Sequence, residues 1–112
     1  MKRETGFPSP AQGYEANSID LNILLIKNRA ATFFMHMSGQ SLEGRGIFDG
    51  DILVIDRAVP LRAGKLIVFQ YENNFYCREL RLDSKGPFFK IGEEERRAIV
   101  VFGTVTSVIR KL

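Results

Sequence analysis

From Ala30 to the end of the chain, no apolar run lasts more than five residues before a polar or turn-forming residue interrupts it. Runs this short do not build the recurring apolar face of a long helix. They suit strands of about four to eight residues joined by turns. Residues 31–38, ATFFMHMS, read as a strand with Phe33, Met35 and Met37 on one face and Phe34 and His36 on the other. Residues 51–56, DILVID, form a second strand, preceded by the turn chemistry of Gly46, Asp49 and Gly50. After a connecting turn over 58–64, residues 65–72 and 75–82 pair across Asn73-Asn74, a dipeptide that tolerates the positive φ of a tight hairpin. Residues 83–87 make a further turn and 88–91 a short strand. Residues 98–112 end the chain as one long or bulged strand with Gly103 at the bend. The expectation is a mainly β protein, a compact curved β domain of about six to eight strands.

The start of the chain differs. Pro8 and Pro10 remove backbone donors and restrict their neighbours, so residues 1–17 are expected to be an extended arm and 18–112 the domain. Between arm and strands lies one short helix, with Asp20 as its N-cap and Leu21, Leu24 and Leu25 on one face.

At 112 residues the chain is long enough for one core. Sixteen Lys and Arg against thirteen Asp and Glu give a formal charge of +3, and the basic residues are scattered rather than gathered in a stripe. That argues for a solvated surface and against direct sequence-specific nucleic-acid binding. The single Cys77 rules out an internal disulfide and fits a reducing cytoplasm. The first ten residues lack the apolar core of a secretory signal. The longest apolar runs, 23–26 and 98–102, fall far short of the roughly 20 residues that cross a bilayer, so no membrane partner is expected.

Few residues carry chemistry. His36 is the only histidine and sits mid-strand, where a partly exposed side chain is the ordinary reading. Cys77 has no second cysteine, so no thiolate metal site is available, and neither metal nor cofactor is expected. The carboxylates Asp49 and Asp51, and Glu93–Glu95, read as solvated surface. No glycine-rich phosphate cradle is present. Ser41 remains, in a loop with Gly39, Gly44 and Gly46. A serine without a histidine base becomes a nucleophile if a lysine made neutral by burial takes its proton; on composition alone such a loop serine is structural.

The segment from Gly6 to Ala58 changes that balance. Its S-G-x-S-[ML] pattern over 38–42, followed by G-I-x-D-G-D-x-L-x-[VI]-D-R over 46–57, closely resembles the LexA/UmuD family of self-cleaving Ser-Lys peptidases. The GFPSP start and the IDLN segment point to its UmuD branch, and the likeness continues through AGKLIV, NFYCRELRL and the closing FGTVTSVIRKL. The resemblance implies a LexA/signal-peptidase-like β fold and a homodimer. It also implies an accessory role, after loss of an N-terminal arm, for a UmuC-like Y-family translesion polymerase in the SOS response. The RecA filament and the sliding clamp come as further implied partners.

Carried over residue by residue, Ser41 falls on the family nucleophile. The family lysine lies in a V-K-[KR]-L sequence, which matches Cys77-Arg78-Glu79-Leu80, so Arg78 stands where the lysine would be. A lysine starts from a pKa of about 10.4 and reaches neutrality near pH 7 at a cost of about 4–5 kcal/mol, which burial supplies. Arginine starts near 13, at a cost of about 8 kcal/mol, and its guanidinium has no acceptor for a serine proton. The family's cleavage junction falls at Thr5-Gly6, with only five residues ahead of Gly6, and the family's S-G-D-S-M is S-G-Q-S-L here. The expectation is a short form close to the processed UmuD product, UmuD-prime-like, in which Ser41 is a remnant. Two alternatives stand beside it: a peptidase using another base, Lys65 or Lys90, and a subunit that diverts resident UmuD or LexA-like proteins by mixed dimerisation.

Overall fold

A computed structural model describes residues 18–112; the arm expected over 1–17, with Thr5 and Gly6, lies outside them. The expectation of a mainly β protein holds. Helix α1 (Leu21–Leu25) is followed by β1 (Thr32–His36), β2 (Ile52–Asp56), β3 (Leu66–Tyr71) and β4 (Asn74–Glu79). Then come β5 (Arg81–Asp83), β6 (Gly86–Ile91), β7 (Glu94–Arg96) and β8 (Val100–Ile109). Five strands form one antiparallel sheet in the order β1-β2-β8-β3-β4, and β5-β6-β7 form a second.

Alternation along the strands divides the apolar residues between two clusters. On one face Leu53 and Ile55 of β2, Val68 of β3 and Cys77 of β4 pack with Met37, Leu42 and Ile47 from the 37–51 loop. On the other, Ile67 and Phe69 of β3 meet Leu80 and Phe89, which bring the smaller sheet against the larger. Phe69 lies 4.6 Å from Phe89 between ring centroids, a distance at which aromatic pairs add to area burial. Phe33 of β1 and Phe75 of β4 both touch Phe102 of β8, at 5.4 and 6.0 Å. Contacts from both outer strands to the middle one show that the sheet is curled, as strand twist favours.

Strand β8 pairs on both sides and takes two bulges. Against β2 the register passes from Val54↔Ser107 to Ile55↔Val105, leaving Thr106 extra. Against β3 it passes from Val68↔Gly103 to Phe69↔Val101, leaving Phe102 extra. The freed Phe102 carbonyl accepts Arg57 Nε at 2.9 Å, and the Arg57 guanidinium sits 4.5 Å from the Phe102 ring. Gly103 stands beside this bulge because nothing larger fits: a Cβ there would lie 2.7 Å from Ile55 Cγ2 and 3.2 Å from Asp56 O.

One local expectation holds and two need correction. Helix α1 forms and Asp20 accepts from the Asn22 and Ile23 amides; Leu25 is half-buried, while Leu21 and Leu24 on the same face are exposed among the described residues. The hairpin turns at Glu72-Asn73, φ 49° and 66°, one residue earlier than expected. That register sets Phe69 against Tyr76 and Val68 against Cys77; a turn one residue later would set Phe69 against Arg78. Residues 75–82 are not one strand either. Leu80 turns into the second cluster, its amide bonded to Lys65 O at 2.8 Å, and β5 starts afresh in the smaller sheet.

Replacing Gly103 by alanine is expected to cost about 1–3 kcal/mol, because the new methyl meets the fully buried Ile55 and the Asp56 backbone. Urea unfolding of Gly103→Ala measures this directly; an unchanged midpoint would contradict the close packing.

Candidate functional site

The loop between β1 and β2 is built to hold a fixed shape over the larger sheet. Met37, Leu42 and Ile47 drive three apolar pegs into the first cluster. A 3-10 turn over Glu43–Arg45 closes on Gly46, whose φ of 79° suits glycine. The loop's ends are tied together by Met37 N to Asp51 O at 2.7 Å and Gly50 N to Met37 O at 2.8 Å. The Asp49 carboxylate accepts the Gly39 amide at 2.7 Å, which sets the turn leading into Ser41.

Asp51 corrects its reading as surface. It is 2% exposed, and its two oxygens receive Arg110 Nε at 2.7 Å and Nη2 at 2.6 Å, with the Phe48 amide at 2.8 Å. Arg110 Nη2 also donates to Gly46 O at 2.8 Å. The end of the chain thus clamps both the middle and the base of the Ser41 loop. Arg110's hydrogen bonds first, and then the Phe48 amide, lower the Asp51 pKa from its ordinary 3.8 to about 2, against the opposing effect of burial. Sequence gave no sign of this pair, whose members lie 59 positions apart.

Ser41 and Arg78 are brought together. Arg78 Nη1 donates to Ser41 Oγ at 3.1 Å and to Cys77 O at 2.8 Å, and its Cζ lies 5.6 Å from the Tyr76 ring centre. Ser41 is exposed and Arg78 half-buried. Both line a cleft of about 390 Å³ with Met35, His36, Phe75 and Cys77 among its walls. The Cys77 thiol is pushed up to about 11, chiefly by burial and in spite of the positive Arg78 and Arg45, so it stays protonated at neutral pH. At the rim Arg45 pairs with Glu79 at 3.0 Å.

Lys65 and Lys90 do not join Ser41: neither lines the cleft, and Lys90 belongs to the smaller sheet. His36 does line it, which its place in a strand did not disclose. Among the described residues no three His, Cys, Asp or Glu side chains gather as a metal site would require, and no helix is long and apolar enough to cross a membrane. The Ser41 hydroxyl therefore faces a donor. A guanidinium that donates a hydrogen bond to Oγ has no lone pair with which to take the serine proton away.

Comparison with known proteins agrees with the sequence pattern. The sequence model of the Peptidase S24-like family matches residues 2–90. Protein ImpA of Salmonella typhimurium is 36% identical over 116 residues, covering 96% of this chain and 79% of that protein. Protein MucA of Escherichia coli is 32% identical over 109 residues, covering 90% of this chain and 75% of that protein. The LexA repressor of Methylococcus capsulatus is 29% identical over 87 residues, 70% of this chain and 43% of that protein.

The clamp has a pH signature. A carboxyl depressed to about 2 contributes stability that is fully present above its unfolded value of about 4 and is lost as pH falls towards 2. Arg110→Gln is expected to lower the melting temperature at pH 7, and its gap from the native protein should close between pH 4 and pH 2. A gap that stays constant over that range would show that Asp51 is not the group Arg110 serves.

Proposed function

Because the chain belongs to the Peptidase S24-like family, as a UmuD-like member of its LexA/UmuD proteins, we propose that it is an accessory subunit and not a working peptidase. In this reading it serves a UmuC-like Y-family translesion polymerase in the SOS response to DNA damage, in the cytoplasm. It does so as a homodimer, with the RecA filament and the sliding clamp as further partners. The observation that carries the reading is the 3.1 Å hydrogen bond from Arg78 Nη1 to Ser41 Oγ. At the position of the family base stands a permanent cation whose only relation to the serine is to donate.

The surface supports association. Ile23 is 78% exposed, and Ile19, Leu21 and Leu24 beside it are more than half exposed among the described residues. A second copy that covers these residues and the outer part of β8 would bury the kind of apolar patch that monomers rarely leave open. The same surface would serve a mixed dimer with a resident UmuD-like protein, the diverting role named above.

The rival reading keeps the nucleophile and replaces the base. His36 is the one other nitrogen base among the cleft-lining residues, so a Ser41–His36 pair would be its form. To separate the two, a longer arm carrying the family's cleavage junction is grafted ahead of Gly6 and the protein incubated at mildly alkaline pH. We expect no cleavage by the native sequence, and cleavage by Arg78→Lys that disappears on adding Ser41→Ala. Cleavage by the native sequence that is lost in Ser41→Ala and in His36→Ala would defeat the non-catalytic reading.

A further inference from the structure

Three aromatic rings lie side by side on an open part of the surface. Phe33 of β1 and Phe75 of β4 flank Phe102 of β8, with ring centroids 5.4 and 6.0 Å apart. Phe33 is 42% exposed and Phe75 50%, while Phe102 between them is half-buried. Phe69 and Phe89, which serve the core, are by contrast fully buried. A row of exposed rings offers π-faces on which another flat ring can pack.

Positive charge gathers at the Phe33 end of the row. The Arg57 guanidinium sits 4.5 Å from the Phe102 ring centre and 5.9 Å from that of Phe33. Its Nε donates to Phe102 O, and its two terminal nitrogens have no partner among the described residues. The fold brings the segment of Lys27 and Arg29 to the same place. The Arg57 amide donates to Ala31 O at 2.9 Å, and Asn28 Nδ2 donates to Asp56 at 2.7 Å. Among the described residues none of these three cations forms an ion pair; the paired arginines are Arg45, Arg96, Arg97 and Arg110. Asp56, the carboxylate bonded to this segment, is 4% exposed and is held by Asn28 and the Ala58 amide. Charges that are scattered in the sequence are neighbours in the fold.

Stacking faces beside unpaired cations are the two halves of a surface for single-stranded nucleic acid. Rings take the bases, all of which have a π-face, and cations take the phosphates, which an arginine fork grips best. A duplex keeps its base faces inside its own stack and leaves the rings without a partner. Phe33, Phe102, Phe75 and Arg57 include no side-chain acceptor for a ribose 2′-hydroxyl, so the surface suits DNA and has no means of favouring RNA. We propose that these four residues, with Lys27 and Arg29 beside them, form a docking surface for single-stranded DNA, bound by stacking and charge without sequence preference. Of the six, Phe75 alone also lines the Ser41 cleft. The inference goes beyond the accessory-subunit reading and is tested without a polymerase, so its failure leaves that reading untouched.

The test is fluorescence anisotropy of the full chain at low salt with three labelled probes. They are an oligothymidine of about 12 nucleotides, a DNA duplex of the same length and the matching oligouridine. We expect the single-stranded DNA to bind about fivefold or more tightly than the duplex, and the RNA no more tightly than the DNA. Its affinity should fall with added salt with a logarithmic slope of about −2, the value for three neutralised phosphates. Phe33→Leu and Phe75→Leu keep the apolar bulk and remove the flat faces, so each should weaken binding about fivefold with the slope unchanged. Arg57→Gln should bring the slope closer to zero by about 0.7. Thermal melts check the fold of the variants, and the three probes on the native protein decide the matter if a variant does not fold. No binding of single-stranded DNA at low salt, a duplex bound as tightly, RNA bound more tightly, or native affinity in both leucine variants would each overturn the proposal.

Discussion

A carboxylate that is ionised and almost wholly out of water must be met by donors, and Asp51 meets that demand by joining two distant parts of the chain. Its oxygens are held by Arg110 at the end of β8 and by the Phe48 amide in its own loop. Arg110 then reaches on to Gly46 O and lies over the Phe48 ring at 4.5 Å. Buried ion pairs are weak evidence of net stability, since desolvation offsets attraction, but removing one partner strands the other. The consequence here is geometric. With its ends tied at Met37 and Asp51 and its apolar pegs in the first cluster, the 37–51 loop is fixed over the sheet, with Ser41 beside Arg78 of β4.

There one side chain decides the chemistry. A lysine desolvated beside a serine is a base in waiting, because burial removes its charge at moderate cost. An arginine in the same place keeps its charge, adds a planar array of donors and turns the serine oxygen into an acceptor. In the proposed accessory-subunit reading, Arg78 makes this a site that holds the serine in place and does not cut.

Much of this was legible in the sequence, and the rest was hidden for definable reasons. The strands announced themselves through alternation, as in Phe33, Met35 and Met37, and Asp20 declared its cap through local spacing alone. The hairpin was misplaced by one residue because Asn73-Asn74 fits a tight turn as well as Glu72-Asn73 does locally; the pairing of Phe69 with Tyr76 across the strands decided between them. Asp51 looked like surface because its partner is 59 positions away and no local pattern encodes such a pair. Ser41 and Arg78, 37 positions apart, were matched through the family resemblance and not through spacing; their contact is a product of the curled sheet. His36 in the cleft escaped notice for the same reason.

An accessory subunit of this kind must assemble with its polymerase without any chemistry at Ser41. The decisive measurement is native mass spectrometry of the chain co-expressed with a UmuC-like Y-family polymerase, for the native sequence and for Ser41→Ala. We predict one polymerase with two copies of this chain, in equal yield for both. A chain that pairs instead with a resident UmuD-like protein and leaves the polymerase bare, or a complex that forms only with Ser41 intact, would contradict it.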